Sequence, residues 1–372
     1  MKRKVIVSVI NDLATDQRVD KVCNTLNSFG FDVTLVGRKQ KKSLPLKKRK
    51  YATHRMKLIW EKGPFFYMEY NIRLFLYLLF HRFDLLVSND LDTLLANFIT
   101  SKLKNKPLVY DSHEYYTETP ELVNRKRIQK IWKTLEEWMF PKLIDVITVN
   151  ESIANLFFEK YKKKVNIVRN VPRKRALSSS KSKQDLGMPL DKQVLILQSG
   201  GINVHRGVEE LVEAMQYIDN AILYIIGSGD VINYIHKLVD HFNVKDKIIL
   251  TGRIPFEELV DYTVNSDLGL TLDKGNNTNY LFSLPNKLFD YIQAGVPILS
   301  TRLPEIQRII EHYDIGSFID SHDPKHIAQR IQETLSDQAK LNYWKQNLHQ
   351  AANELIWENE ETVLKEIYNK YV

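Results

Sequence analysis

The sequence predicts an α/β protein made of two doubly wound parallel-sheet domains. Three observations carry that prediction. Short apolar runs alternate with helical patterns along the chain, the pattern of parallel strands joined by crossover helices. The 372 residues suit two domains of roughly 150 residues each. The alternation breaks once, between Arg169 and Lys183, in a basic stretch with Ser178, Ser179 and Ser180 and little apolar periodicity. Such a stretch reads as a linker.

The first series opens with an apolar run from Lys4 to Ile10, after which Val19, Val22, Leu26 and Phe29 mark one helix face. Phe31 to Val36 reads as the next strand. Leu85 to Ser88, Pro107 to Tyr110, Val146 to Val149 and Val165 to Val168 follow, separated by helical patterns such as Leu94 to Lys102 and Arg127 to Met139. A second series starts at Val194 to Gln198. It continues through Ala221 to Ile226, Ile248 to Thr251, Leu268 to Thr271, Val296 to Ser300 and Gly316 to Ile319. Val208, Leu211, Val212 and Met215 mark a helix face between the first two of these. The expected boundaries are 1–172 for the first domain, 173–187 for the linker and 188–355 for the second domain. Neither an internal repeat nor a heptad run is evident.

Composition excludes several classes. A hydrophobic content of 44% with 26% charged residues is that of a soluble globular protein. The single cysteine, Cys23, rules out an intramolecular disulfide and a cysteine-based zinc cluster, and its helical setting suggests a buried, inert thiol. Lys2-Arg3-Lys4 precedes an apolar run that is too short for a secretory signal and lacks a small-residue cleavage site. No run reaches the ~18 apolar residues of a spanning helix; the nearest, Ile72 to Phe80, is interrupted by Arg73. The expected location is cytoplasmic.

The net charge of +8 is concentrated locally. Ten lysines and arginines lie between Arg38 and Lys57, and Trp60, Phe65, Phe66, Tyr67, Tyr70, Phe75 and Tyr77 follow directly. A basic segment beside an aromatic, amphipathic one reads as a docking surface for an anionic membrane, at the inner face if the protein is cytoplasmic. The alternatives are a solvated loop or a nucleic-acid site, and no nucleic-acid-binding motif accompanies the charge.

The stretch from Ser283 to Leu299, SLPNKLFDYIQAGVPIL, is the most informative in the chain. It reads as a loop, a helix starting near Pro285, a stop at Gly295 and a buried strand from Val296. Ser283 is placed to cap the helix and Pro285 to occupy its first position. The backbone from Leu284 to Lys287, with the Lys287 cation beside it, forms a site for an anionic phosphate. Asp290, one turn on, is at the right reach for ribose hydroxyls. The competing reading is a capped amphipathic helix with Leu288, Phe289 and Ile292 in the core.

These residues, with Pro304-Glu305, resemble the donor-site signature of the retaining glycosyltransferases of family 4, which have the GT-B fold. Asp16-x-Arg18-Val19, Tyr110-Asp-Ser-His-Glu114 and Gly200-Gly201 to Arg206-Gly207 fall in that family's order, so the resemblance spans nearly the whole chain. It implies two Rossmann-like domains facing across a cleft, with 356–372 crossing back onto the first.

It also implies roles. Arg206 and Lys287 would neutralise the leaving diphosphate, Asp290 would hold the ribose, and His113 would face the transferred sugar. Gly200, Gly201, Gly227, Arg253, Leu284, Pro285, Asn286 and Leu288 would line the donor. Asn11, Asp12, Asp16, Arg18, Asp90 and Glu114 would lie on the acceptor side, as acceptor or structural contacts. The family's first glutamate of a Glu-x7-Glu pair falls on Phe282 here. Asp90-Leu91-Asp92 spells a metal-binding pattern of the other large glycosyltransferase fold, but its position matches the family's own turn, so no metal or cofactor is expected. The implied reaction moves a sugar from a UDP- or GDP-linked donor to a lipid-linked or polysaccharide-precursor glycan. A sugar-nucleotide 2-epimerase of the same fold and a non-catalytic membrane-associated subunit are the alternatives.

Overall fold

Alternating apolar strands and amphipathic helices fold into two sheets in a computed structural model that describes residues 2–174 and 180–372. The first unit comprises Met1–Asn170 with Glu360–Val372, and the second Val171–Asn359. Ser178 and Ser179 of the expected linker lie outside the described residues. The described parts of that stretch belong to the second unit rather than standing apart. Ser180 donates through its backbone N–H to Asp261 at 2.8 Å, and Lys183 pairs with Asp267 at 3.0 Å.

Unit 1 runs β1 (Lys4–Asp12), α1 (Gln17–Ser28), β2 (Asp32–Lys39), β3 (Ala52–Lys57), α2 (Pro64–Phe80), β4 (Leu85–Asn89), α3 (Leu91–Lys104), β5 (Leu108–Ser112), α4 (Pro120–Val123), α5 (Lys126–Met139), β6 (Asp145–Thr148), α6 (Glu151–Tyr161) and β7 (Asn166–Ile167). Its seven parallel strands lie in the order β3-β2-β1-β4-β5-β6-β7. β3 was not expected, because its sequence ATHRMK is polar and lies inside the basic run. As an edge strand it needs little apolar surface, and Met56 alone of its side chains is buried.

Unit 2 runs β8 (Gln193–Ser199), α7 (Val208–Ala214), β9 (Ala221–Gly227), α8 (Ile232–His241), β10 (Ile248–Gly252), α9 (Phe256–Val264), β11 (Leu268–Thr271), α10 (Thr278–Leu281), α11 (Asn286–Ala294), β12 (Ile298–Thr301), α12 (Pro304–Tyr313), β13 (Gly316–Ile319), α13 (Pro324–Ser336) and α14 (Gln338–Glu354). The parallel order is β10-β9-β8-β11-β12-β13. Alternate residues of β8 feed different cores: Leu195 and Leu197 pack with α7, α8 and α13, and Val194 and Ile196 with α11, α12 and α14. That two-sided burial explains the unbroken apolar runs.

α15 (Trp357–Tyr368) begins in unit 2, where the Trp357 N–H donates to the Pro172 carbonyl at 2.7 Å. From Glu360 the chain belongs to unit 1. Glu360 accepts from the Arg169 backbone at 2.7 Å and pairs with its guanidinium, Tyr368 meets Phe31 edge-on, and Lys370 bonds Asp145. In each sheet the strand order reverses once, between β1 and β4 and between β8 and β11. Ligands of open parallel sheets bind outside the carboxyl ends of strands at such points.

Candidate functional site

At the unit 2 reversal, the loop after β8 carries Arg206 and the loop after β11 carries Asp273. Asp273 is fully buried and binds two cations: Arg206 Nη1 at 3.0 Å and Lys287 Nζ at 3.1 Å. Thr271 Oγ1 adds a hydrogen bond at 3.3 Å. Burial by itself would raise the Asp273 pKa, but Lys287 and Arg206 outweigh it and hold the carboxyl below its ordinary value. Arg206 also lies over the Tyr280 ring, 4.3 Å from its centroid. Lys287 is only 6% exposed. It is therefore not the free cation its position in the sequence suggests. Asp273 went unnoticed, because an acid in a loop carries no local signal of the two residues it will meet.

Lys287 and Asp290 ride on α11, whose register is fixed from below. Tyr291, fully buried, bonds the carbonyls of Ile196 at 3.2 Å and Leu270 at 3.1 Å through its hydroxyl, which also accepts from the Gln198 N–H at 3.2 Å. Its ring occupies the space above Gly269, where a Cβ would sit 2.6 Å from the ring. The same Gln198 donates Nε2 to Asp290 at 2.9 Å and accepts from Thr263 at 2.8 Å. One helix thus presents a cation and, a turn later, an oriented carboxylate.

Three expectations at this helix are corrected. Pro285 is the N-cap, not the first helical residue, and no side chain caps the turn. Ser283 does not cap: its Oγ is buried without a hydrogen-bond partner. Leu288, expected to line the donor, is fully buried in the core, and its N–H goes to the Pro285 carbonyl at 3.1 Å. Leu284 packs against the same core, while Asn286 is exposed at the first turn.

The glycines divide by role. Gly227 (φ 141°) needs glycine for packing, since a Cβ there would lie 1.9 Å from the Ser199 carbonyl. It lets the loop after β9 bond the loop after β8, Ile202 N–H to Ser228 carbonyl at 2.9 Å. Gly200 has open space where a side chain would stand, and its carbonyl accepts from Arg253 at 3.0 Å. Gly201 adjoins it, held by the Ser199 hydroxyl.

In unit 1, His113 follows β5 and is caged. Its Nδ1 lies 3.3 Å from Asp90, and its Nε2 lies 3.5 Å from Asp111 and 3.1 Å from the Asn89 side-chain oxygen. Its backbone N–H donates to Asp90 at 2.8 Å. Burial opposes the imidazolium, but Asp90 and Asp111 prevail and push the pKa up to about 9. Beside it, burial and the neighbouring Asp90 and Glu121 carboxylates push Glu114 up to about 8. Asp90 itself has φ 58°, an uncommon conformation for a non-glycine residue.

The remaining acceptor-side residues are engaged within the protein. Arg18 is buried, donating to Asp111 at 3.0 Å and to the Val168 carbonyl at 3.0 Å. It stands behind His113's carboxylate rather than at a surface open to an acceptor. Asp16 caps α1 by accepting from Val19 N–H and is held by Asn11 at 3.0 Å. Asp12 pairs with Arg55 at 2.7 Å.

Two parallel sheets, each with charged groups gathered at its reversal point, define a GT-B-type α/β protein. Residues 16–171 match the model of Glycosyltransferase Family 4 and residues 180–351 that of Glycosyl transferases group 1. The chain belongs to the family 4 glycosyltransferases of the GT-B fold. It is 25% identical over 223 residues to N-acetyl-alpha-D-glucosaminyl L-malate synthase of Bacillus anthracis, a match covering 58% of this chain and 55% of that protein. The chain thus spans about half the length of the curated relatives it matches. Sucrose-phosphate synthase from Thermosynechococcus elongatus has the same fold, with TM-score 0.82 at 16% identity over 99% of both chains. So has Anabaena HepE, solved with UDP and glucose, with TM-score 0.73 at 13% identity over 99% of both chains.

Proposed function

We propose that this glycosyltransferase is retaining and metal-independent, and moves a sugar from a UDP- or GDP-linked donor to a hydroxyl of a lipid-linked or polysaccharide-precursor glycan. Its expected place is the cytoplasmic face of an anionic membrane. The observation that carries the reading is the Asp273-centred pair of cations at the reversal point of unit 2. A leaving diphosphate needs positive groups already in place where its charge develops. Arg206 and Lys287 are held in that way, beside the start of α11. Asp290, oriented by Gln198, suits ribose hydroxyls, and the UDP in HepE supports a uridine nucleotide.

The chemistry is a substitution at the sugar's anomeric carbon. The acceptor oxygen forms the new bond, the bond to the phosphate oxygen breaks, and the leaving phosphate takes the acceptor's proton. No side chain is then needed as a base. His113, whose two ring nitrogens face Asp90 and Asp111 and whose pKa is pushed up to about 9, has no lone pair to offer, so it would face the transferred sugar as a positive charge rather than as a base.

Calorimetric titration of UDP, GDP and ADP into wild type and Arg206→Ala tests the donor site. Wild type should bind one nucleotide selectively, and the variant should lose at least tenfold in affinity and in turnover while remaining folded. Turnover should survive EDTA. Folded wild type that binds none of the three would end the transferase reading. Conversion of a nucleotide sugar incubated without acceptor, followed by NMR, would favour the epimerase.

A further inference from the structure

Arg206 is the most open member of the Asp273 cluster, with 24% of its side chain exposed against 6% for Lys287. Its backbone is firmly held. His205 and Gly207 on either side of it both take the left-handed conformation, at φ 70° and 71°, which is uncommon for a histidine. Gly207 lies so close to the end of β11 that a Cβ there would meet the Leu272 carbonyl oxygen at 2.2 Å. Across the same gap the Lys274 N–H donates to the His205 carbonyl at 2.9 Å, and the Lys274 ammonium pairs with Glu210. The loop after β8 is thus laced to the loop after β11 on both sides of Arg206. That fixes where the side chain starts.

The guanidinium has fewer anchors than the backbone. Nη1 donates to Asp273 at 3.0 Å, while Nε is buried and makes no hydrogen bond among the described residues. A planar cation bonded through one nitrogen can still turn about that bond. The second constraint is the Tyr280 ring, whose centroid lies 4.3 Å from the guanidinium carbon. Arginine is drawn to aromatic faces by cation–π attraction and by stacking.

Tyr280 is itself set by a short turn. Asn277 caps α10 by accepting from the Tyr280 N–H at 2.9 Å, and the next residue, Leu281, packs on the core that contains Leu288 and Leu303. The Tyr280 hydroxyl makes no hydrogen bond among the described residues. What the side chain offers is its ring.

We propose that Tyr280 is a positioning residue of the donor site. Its ring fixes the plane of the Arg206 guanidinium, so that Nη2, which Asp273 does not use, is presented to the leaving phosphate. A guanidinium grips phosphate through two parallel N–H bonds only in the right plane. Turning it therefore weakens the grip without removing the charge. This deepens the donor-site reading above and rests on it.

Calorimetric titration of UDP and of GDP into wild type, Y280F, Y280L, R206A and R206A/Y280L tests it, with melting curves to verify folding. Y280Q replaces the leucine change in both proteins should Y280L not fold. For the nucleotide that wild type binds more tightly, Y280L should lose about fivefold in affinity, the scale of one cation–π contact. Y280F, which keeps the ring, should rescue binding to within twofold of wild type. In the R206A background the leucine change should cost less than twofold, because the ring acts through the guanidinium. NMR of protein labelled with ¹⁵N-arginine reads the contact without ligand: the Arg206 Nε–H signal, identified by its absence from R206A, should move in Y280L and hold in Y280F. An equal loss in the R206A background would place Tyr280 on the nucleotide itself and overturn the positioning role. So would full affinity in Y280L, or an Arg206 signal that Y280L leaves in place. Wild type that binds neither nucleotide would overturn the donor-site reading and this proposal with it.

Discussion

Asp273→Ala should cost about 3–5 kcal/mol of unit 2 stability, because it leaves the buried Lys287 ammonium without its counter-charge. Asp273→Asn separates that structural cost from the catalytic one. The amide keeps the shape and can still accept from Arg206, but the site's net charge becomes more positive by one. A nucleoside diphosphate then competes with one negative charge fewer, so donor binding should hold or tighten. Turnover should nonetheless fall at least tenfold, about 1.4 kcal/mol of barrier, because the two cations are no longer aimed by a shared partner. Steady-state kinetics of the folded Asn variant check this: kcat down, KM for the donor level or lower. A kcat within twofold of wild type would remove Asp273 as the residue that positions Arg206 and Lys287.

What was legible in the sequence was local. The central strands of both series were readable because they are continuous apolar runs buried on two faces, and the observed bounds of the strands differ from the expected ones by one to three residues at most ends. The helix after Pro285 and its Gly295 stop were readable because both depend on residues within a turn. The polar edge strand β3 escaped, since nothing buries it strongly enough to leave a pattern. The site's partners escaped for a different reason. Arg206 lies 67 residues from Asp273, and Arg18 lies 93 from Asp111, so either pair is visible only once the strands align. The same holds for Tyr291. Its hydroxyl ties α11 to two strands that only the folded chain brings beneath it.

The sequence therefore located the ends of the strands where charged residues gather, but not which charges cancel. That distinction changes the chemistry assigned to both units. In unit 2 it turns Lys287 from a free cation into one half of a prearranged pair. In unit 1 it places His113, expected to face the transferred sugar, between Asp90 and Asp111, and makes Arg18, expected as an acceptor or structural contact, the buried partner of Asp111.

The His113 assignment predicts a pH dependence with a definite sign. Its pKa in the folded protein, about 9, exceeds the ~6.5 of an unperturbed imidazole. The stabilisation is therefore fully present below about pH 6.5 and lost as pH rises through about 9, on the order of 3 kcal/mol in total. Glu114 adds a slope of the same sign. Its carboxyl, pushed up to about 8, keeps a proton that the unfolded chain releases near ~4.3. Melting temperature should thus fall as pH rises from 6.5 to 9.5. His113→Gln should melt well below wild type at pH 6.5, and the gap should close by pH 9.5, because the ion pairs it lacks are by then gone from wild type as well. Asp90→Asn, which removes one of the two carboxylates, should lower the His113 midpoint read by NMR of the imidazole. A wild-type midpoint below 7, or a melting gap that stays constant across the range, would remove the imidazolium assignment and open His113 as a base for the acceptor's proton.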